Sequence, residues 1–312
     1  MLPFFAKLPA CLVGMEACGG SHYWAREIAA LGHDVRLIPP SYVKPFVKRG
    51  KTDAADAEAI CEAVSRKSMR FVPIKSADQQ ATAMILKVRE LLVRQQTQAT
   101  NALRAHLNEL GIIAATGVAK VAQLIAIVHD QADARVPDAA RFALKALVSQ
   151  IEALRLELKK LERAVVAAAK HDPDIQRLAT IPGVGAITAA SIKALVPDIR
   201  GFKSALHFAA WMGLTPRPHS SGGKERLGGI SKMGNPTLRK LLVLGALAML
   251  RRAKNNEAGL DWVRRLLTRR PGKVVAVAMA NKTARVAFAL LSKGEVYREP
   301  AAAASRRSGR VA

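Results

Sequence analysis

CLVGMEACGGSHYWAREIAALGHDVRLIPP, residues 11–40, is the stretch that indicates the fold class. CLVGM is a short apolar run that ends at Glu16, which predicts a buried strand. SHYWAREIAALG has helical spacing and stops at Gly32, and DVRLIPP then predicts a second strand closed by Pro39 and Pro40. A strand, a helix and a strand in this order predict an α/β unit.

The residues on either side extend this unit over 1–77. Thr52 is placed to cap a helix from Asp53 to about Val64, and FVPI at 71–74 predicts another short strand. The opening stretch, MLPFFAKLPACLVGM, has no basic segment before its apolar residues. A buried strand is therefore favoured there over a secretory signal peptide.

Two long helices are predicted in a region that we place at 78–170. The first runs over 78–110, and a less regular, alanine-rich stretch covers 111–140. Its apolar stripe consists of Ile85, Val88, Leu92, Ala99, Leu103, Leu107 and Leu110. The second helix carries a heptad seam: Leu144, Leu147, Ile151, Leu154, Leu158, Leu161 and Val165. This seam predicts a coiled coil, either with the 78–110 helix of the same chain or between chains in a homo-oligomer.

HDPD at 171–174 breaks the seam helix and opens a second helical domain over 171–298. Its last element is KVVAVAMANKTARVAFALLSKG, and residues 299–312 are predicted to be a disordered tail. IPGVG at 181–185 resembles the turn of a helix-hairpin-helix, in which Gly183 and Gly185 permit a tight turn before a helix. The free N–H groups of that helix bind a phosphate without reading sequence. A plain packing corner has the same pattern, and the surrounding positive charge favours DNA binding.

The charge of the chain indicates a polyanionic partner. The 312 residues carry 49 Lys/Arg and 24 Asp/Glu, a formal net charge of +25. From Arg217 onward there are 21 Lys/Arg and only 5 Asp/Glu, which favours nucleic acid. Aromatic residues make up 4% of the chain, so repeated base stacking is not expected.

Two compartments are disfavoured by composition. No apolar run reaches the roughly 18 residues of a membrane span. Three cysteines, Cys11, Cys18 and Cys61, form neither a closed disulfide set nor a zinc spacing, which favours a reducing cytosol. We therefore expect a cytoplasmic, nucleoid-associated protein with no membrane partner.

GLTPRPHSSGGKERLGGISKMGNPTLRK, residues 213–240, predicts a flexible glycine loop. Ser220 and Ser221 are candidate nucleophiles toward a phosphodiester, and nearby cations would stabilise the developing charge. Between Lys224 and Arg239 the stretch has four basic residues, Lys224, Arg226, Lys232 and Arg239. His219 is a candidate base, although a single loop histidine is more often solvated. Ser-Gly-Gly is also a common linker composition.

Carboxylates mark the α/β unit. Asp53 and Asp56 lie on one turn of a predicted helix, and Glu16 ends a predicted strand. Two carboxylates on one turn usually belong to a solvated helix face. If the fold brings all three together, they need a cation between them, and their oxygens suit Mg²⁺. Two such ions would act on both sides of a phosphodiester, as in a ribonuclease-H-like nuclease.

Two long blocks carry a resemblance to a known family. The residue ranges are 14–64, GMEACGG…AEAICEAV, and 181–243, IPGVG…FAAWMGLTPRPHSSGGKERLGGISKMGNPTLRKLLV. In order and spacing they are similar to transposases of the insertion-sequence-110 family, in the subgroup with HSSGGK, over most of 11–298. The resemblance implies an α/β plus α chain with a RuvC-like DEDD nuclease domain, a coiled coil and a helical transposase domain with a helix-hairpin-helix.

The resemblance also implies site residues and partners. Ser221 matches the family's catalytic serine, and Glu16, Asp53 and Asp56 match its Mg²⁺-binding acidic set. The nucleic-acid contacts would be Gly183, Gly185, Lys224, Arg226, Lys232 and Arg239. The implied function is DNA cleavage and strand transfer guided by a structured RNA. The family's first Asp lies upstream of its Glu, and nothing acidic precedes Glu16, so an incomplete sheet and a missing ligand are expected. An inactive remnant that binds nucleic acid and a helix-hairpin-helix repair or junction nuclease are the alternatives.

Overall fold

The computed structural model describes residues 1–48, 52–115, 117–196, 198–255 and 260–299. The tail predicted over 299–312 lies outside this description except for its first residue. The chain forms two compact units, Met1–Thr82 with Lys193–Gly201, and Ala83–Ile192 with Phe202–Ala312.

The first unit contains a parallel pair of strands connected through a helix. β1 (Leu12–Glu16) pairs with β2 (Asp34–Ile38), with Leu12 opposite Asp34 and Glu16 opposite Ile38. A parallel pair needs a crossover, which α2 supplies. The helices of this unit are α1 (Leu2–Phe5), α2 (Ser21–Ala30), α3 (Pro40–Val43) and α4 (Asp53–Ser65). The α/β unit expected from residues 11–40 is therefore present.

The strand predicted at 71–74 is wrong. Only Val72 bridges to the sheet, through its N–H to the carbonyl of Leu37 at 2.7 Å. Pro73 has no N–H with which to continue a ladder, and this explains why pairing stops after one residue.

β2 separates two small cores in the first unit. Leu37 and Val35 pack with Ala25 and Ile28 of α2, whereas Ile38 packs with residues of α3 and α4. Successive strand residues point to opposite faces, so neighbouring side chains of β2 enter different cores. β1 meets α4 at Gly14, where an added Cβ would lie 2.9 Å from Ile60.

The second unit begins with a helical core built from three elements. α5 spans Ala77–Glu109, α6 spans Val118–His129 and α7 spans Asp138–Ala169. Their shared core contains Leu103 and Leu107 of α5, Leu124 of α6, and Val148 and Ile151 of α7. Arg89 in the first half of α5 pairs with Glu162 in the second half of α7 at 2.5 Å. The core contact lies at the other ends, between the second half of α5 and the first half of α7, so the two helices run antiparallel.

The heptad seam on α7 is buried within the single chain. Leu144, Ile151, Leu154, Leu158 and Val165 are buried. This burial supports the alternative in which the seam packs inside the chain. The stripe predicted for the first half of α5 is partly wrong, because Val88 is 47% exposed and Leu86 is buried instead. The buried residues of α5 are Ala83, Leu86, Ala99, Leu103 and Leu107.

The remaining elements complete the second part of the chain. They are α8 (Pro173–Ala179), α9 (Ala186–Leu195), α10 (Ala205–Trp211), β3 (Pro216–Pro218), β4 (Leu227–Ile230), α11 (Pro236–Lys254), α12 (Asp261–Leu267) and α13 (Gly272–Lys293). Asp172 caps α8 and Asn235 caps α11 with their side-chain oxygens. α13 packs against α8, α10, α11 and α12.

Among the described helices, α13 alone is long and apolar enough to cross a membrane. It also buries a continuous face that includes Val275, Met279, Ala280, Ala284 and Ala287. A core helix needs the same composition, so this packing accounts for its apolar character.

Candidate functional site

The acidic residues lie at two element ends of the first unit. Glu16 is the last residue of β1 and is half-buried, and Asp53 and Asp56 are exposed in the first turn of α4. The hydroxyl of Thr52 caps this helix by accepting the N–H of Ala55 at 3.2 Å. Asp53 and Asp56 therefore also stand where carboxylates favour a helix, next to its free N–H groups.

These carboxylates do not form a metal centre in the structure. Among the described residues, no group of three or more His, Cys, Asp or Glu side chains could hold a metal ion. Glu16, Asp53 and Asp56 are thus not gathered into the three-carboxylate set expected from the sequence. The residues as placed do not fit a Mg²⁺ ion held by all three, and we derive no chemical step through one.

The serine segment forms a β-hairpin instead of the predicted flexible loop. β3 and β4 pair antiparallel, and the tip closes with the N–H of Lys224 donating to the carbonyl of Ser221 at 3.1 Å. The two residues of the turn, Gly222 and Gly223, have φ of 57° and 74°. Positive φ at both central positions is the turn that suits a two-residue hairpin, which explains the glycine pair.

The two candidate serines of the hairpin differ in their hydrogen bonds. The Ser220 hydroxyl accepts the N–H of Arg226 at 3.2 Å and so helps to hold the two strands together. The hydroxyl of Ser221 has no hydrogen-bond partner among the described residues, and Ser221 is exposed at the tip. Ser221 is therefore the serine whose side chain is available for another molecule.

His219 does not have the placement of a base toward Ser221. Its main-chain N–H donates to the carbonyl of Arg226 at 2.7 Å, and its ring lies over Gly228, 3.0 Å from where a Cβ would be. In the part of the chain that the structure describes, its ring makes no hydrogen bond to Ser221.

The basic residues of this segment fall into two groups. Lys224, Arg226 and Lys232 are exposed and form no ion pair within the described ranges. The guanidinium of Arg239 donates to the carbonyls of Met212 and Met233, both at 3.0 Å. Arg239 therefore stabilises the base of the hairpin segment. Two of the hydrogen bonds of its guanidinium are used there, so this side chain is less available to a phosphate than expected.

Arg217 also holds the base of the hairpin together, a role that the sequence did not reveal. Its guanidinium donates twice to the carbonyl of Ser231, at 2.6 and 3.0 Å, across the base of the hairpin. Nothing in the sequence distinguishes this arginine from its solvated neighbours. These hydrogen bonds fix the base of the hairpin, and Ser221 lies at its tip.

The IPGVG turn connects α8 to α9, and its two glycines lie in different environments. Gly183 has φ of +83°, and a Cβ on it would lie 2.9 Å from the carbonyl oxygen of Gly245 on α11. A Cβ on Gly185 would meet nothing within 4 Å, and this residue is exposed. The packing-corner alternative accounts for Gly183, while Gly185 faces open space directly before α9.

Comparisons with known proteins identify the family. The transposase model described as the IS116/IS110/IS902 family matches residues 175–261. A transposase model of the DEDD type in the IS110 group matches residues 4–112. The two matches cover the serine hairpin and the acidic residues respectively.

Similarity to individual proteins extends over nearly the whole chain. A probable family 20 transposase of Pseudomonas aeruginosa is 49% identical over 95% of this chain and 88% of its own length. The transposase for insertion sequence element IS1111A of Coxiella burnetii is 42% identical over 94% of this chain and 81% of its own length. The transposase for insertion sequence element IS1328 of Yersinia enterocolitica is 41% identical over 94% of this chain and 87% of its own length. The chain belongs to the IS110/IS116/IS902 family of insertion-sequence transposases.

Proposed function

We propose that this protein cleaves and joins DNA during transposition of an insertion sequence, with Ser221 as the nucleophile. The observation that carries the proposal is the Ser221 hydroxyl, free of partners among the described residues at the tip of a hairpin held by Arg217 and the Ser220–Arg226 bond. A nucleophile needs this combination of a fixed main chain and an uncommitted side chain.

In the proposed step, the Ser221 oxygen attacks a backbone phosphorus and forms a phosphoserine ester. The bond from that phosphorus to one deoxyribose oxygen breaks, and the leaving oxygen takes up the proton lost by the serine. Lys224 and Arg226 flank the tip and would stabilise the charge on the phosphoryl oxygens. Joining is the reverse attack by a hydroxyl of another strand end.

Several finer parts of the function remain proposals. They are guidance by a structured RNA, assembly of a homo-oligomer through the helical region, and action at the nucleoid in the cytoplasm. The assignment of Mg²⁺ to Glu16, Asp53 and Asp56 is a prediction from the family resemblance alone, because the three carboxylates as placed do not form one metal site. The phosphate contacts of Gly183, Gly185, Lys224, Arg226, Lys232 and Arg239 are also predictions. So are the domain boundaries at 77/78, 170/171 and 298/299, and the RuvC-like fold of the first domain.

A second candidate function is supported by one observation. Because the described residues contain no cluster that could hold a metal, the chain is also a candidate for an inactive nucleic-acid-binding remnant. Such a protein would keep its affinity for DNA and lack cleavage under all conditions.

The test uses end-labelled DNA that carries the ends of the element, with and without the RNA transcribed from it. We expect a covalent protein–DNA adduct on a denaturing gel. Ser221→Ala should reduce cleavage by at least about a thousandfold, because a nucleophile has no substitute. Ser220→Ala is the matched control: it removes the hydroxyl that bonds to Arg226 but leaves the base of the hairpin held by Arg217, so its loss of cleavage should be within about tenfold.

The other outcomes separate the rival functions. Cleavage that survives in Ser221→Ala but is lost in Asp53→Asn and Asp56→Asn would indicate a metal-dependent nuclease of the repair or junction type. Binding without any cleavage by the unmodified chain would indicate the remnant.

A further inference from the structure

A cleft in the second unit is not used by the proposed strand-transfer step. It has a volume of about 460 Å³ and lies between α11, α12, α13 and the segment after α13. Its lining includes Ile181 and Pro182 of the IPGVG turn, Trp262, Met279 and Tyr297. This volume is in the range of sites that hold small organic groups, roughly 300–1,000 Å³.

One wall of the cleft is an aromatic ring held in place by a cation. The ammonium of Lys282 lies 4.5 Å from the ring centroid of Trp262, which is a cation–π contact. Trp262 nevertheless keeps 37% of its surface exposed. A fixed and partly exposed indole is a surface on which a planar group can stack with little loss of side-chain entropy.

The lining of the cleft also contains polar side chains, those of Tyr297 and Glu299. The main-chain N–H of Tyr297 donates to the hydroxyl of Thr180 at 2.9 Å, which ties the segment after α13 to the end of α8. Burial, and to a lesser extent the Glu299 carboxylate, raises the pKa of the Tyr297 phenol. The phenol therefore stays protonated at neutral pH, and a hydroxyl and a carboxylate are available to the edge of a base.

The segment that contains α12 and contributes to the cleft is strongly basic. From Arg251 to Lys273, the only acidic side chain among the described residues is that of Asp261, which pairs with Arg264. The basic side chains in this range are Arg251, Arg252, Lys254, Arg264, Arg265, Arg269, Arg270 and Lys273. Arg252 and Lys282 lie in the lining of the cleft itself, and with this basic segment they attract an anionic ligand.

We infer that this cleft binds one unpaired nucleotide of a nucleic acid strand, with its base against Trp262 and its flanking phosphates near Arg252 and Lys282 of the lining. The inference rests on the proposed function, because it assumes that the protein handles nucleic acid. The base of an intact duplex is already stacked and paired, so the cleft selects a nucleotide that is single-stranded or extruded. A chain with 4% aromatic residues has no extended stacking platform, but a single base needs only one ring.

The test compares single strands of equal charge with and without bases, and adds a duplex in which every base is paired. Affinities of the full chain are measured by fluorescence anisotropy for (dT)8, (U)8, an eight-residue fully abasic strand and a blunt duplex. Trp262→Ala should weaken binding of (dT)8 or (U)8 about tenfold, given the strength of base–aromatic stacking. It should leave the abasic strand and the duplex within about twofold, which is ordinary variation between measurements on this scale.

Matched variants distinguish the cleft from a general effect. Phe142→Ala removes an aromatic ring that is 83% exposed and does not line the cleft, so its affinity for every probe should equal that of the unmodified chain. Trp262→Phe keeps a ring and should retain most of the binding, with thermal unfolding showing that both variants fold. The probe with the larger loss in Trp262→Ala identifies DNA or RNA as the source of the nucleotide.

Two results have separate meanings. If Trp262→Ala weakens the abasic strand or the duplex as much as (dT)8, the cleft does not hold a base and the inference is wrong. If the unmodified chain binds none of the probes, the proposed nucleic-acid function itself fails.

Discussion

Arg141 shows at the scale of one residue how the helical core is held together. It lies in the first turn of α7, is 5% exposed and has no carboxylate partner among the described residues. Its guanidinium donates to the carbonyls of Ile127 and Val128 at 3.1 Å, in the last turn of α6. It also donates to carbonyls of the connecting segment, those of Asp130, Asp133 and Val136. A cation at a helix C-terminus interacts favourably with the unpaired carbonyls and the helix dipole.

We predict that Arg141→Leu lowers the free energy of unfolding of the second unit by about 3 kcal/mol, because it leaves several buried carbonyls without donors. Arg141→Lys should recover only part of this loss, since an ammonium cannot span five acceptors. Denaturant titration measures the effect. Arg163→Leu, on an exposed position of the same helix, is the control and should change stability by less than about 0.5 kcal/mol. Equal losses in both variants would contradict the structural role of Arg141.

Single residues were predictable from sequence only where their chemistry is local. Thr52 was identified as a cap because a cap acts on N–H groups two or three residues away. The roles of Arg141, Arg217 and Arg239 were not predictable. Each side chain donates to carbonyls of other segments, and only the fold brings those carbonyls to it. Basic residues in a strongly basic chain all resemble phosphate contacts until these partners are known.

At the scale of elements, the contact between the IPGVG turn and α11 depends on two glycines. A Cβ on Gly245 would overlap the carbonyl oxygen of Gly183, at a separation that real atoms do not adopt. Gly183 has positive φ as well, so any side chain there is also strained. The turn can therefore approach α11 only while both positions lack a side chain.

Gly245→Ala and Gly183→Ala are each predicted to destabilise the second unit by roughly 2 kcal/mol, through overpacking and backbone strain. Gly185→Ala is the matched control within the same motif, because its Cβ would meet nothing within 4 Å. The measurement is thermal unfolding of the three variants beside the unmodified chain. If Gly185→Ala loses as much stability as Gly183→Ala, a side chain anywhere in the turn is destabilising, and the contact with α11 is not the cause.

The elements that could be predicted are those with a regular pattern over many residues. β1, α2, β2 and α4 have the expected bounds within a few residues, because apolar spacing and cap signals agree there. The hairpin of β3 and β4 was missed because its strands contain prolines, glycines and charged residues and no alternating apolar pattern. Gly222-Gly223 is a hairpin signal in itself, and it could have been recognised before the structure.

The arrangement of the acidic residues belongs to the scale of the whole molecule. Glu16 is separated from Asp53 and Asp56 along the chain, so only the fold decides whether the three carboxylates meet. The sequence could name these residues as candidates but could not establish their distances. Their absence from any described metal-binding group leaves the serine hairpin as the better-supported part of the proposed site.

Charge is the other property of the whole molecule with a measurable consequence. With a net charge of +25, the chain should bind DNA chiefly through phosphates, and each neutralised phosphate releases counterions. If six to ten phosphates are contacted, affinity for a duplex should fall about 10³–10⁵-fold between roughly 50 and 200 mM salt. Fluorescence anisotropy over a salt series measures the slope of log affinity against log salt.

Matched variants assign part of that slope to the hairpin. Lys224→Gln combined with Arg226→Gln should reduce its magnitude by about 2, one unit for each phosphate that a cation no longer neutralises. Arg163→Gln is the comparison, because it removes an exposed charge from α7, outside the hairpin segment. We expect it to change the slope by no more than about half a unit, because Arg163 is not among the proposed phosphate contacts. A slope that stays the same in the hairpin variant would mean that the cations beside Ser221 do not touch DNA, and the proposed approach of the nucleophile would then be wrong.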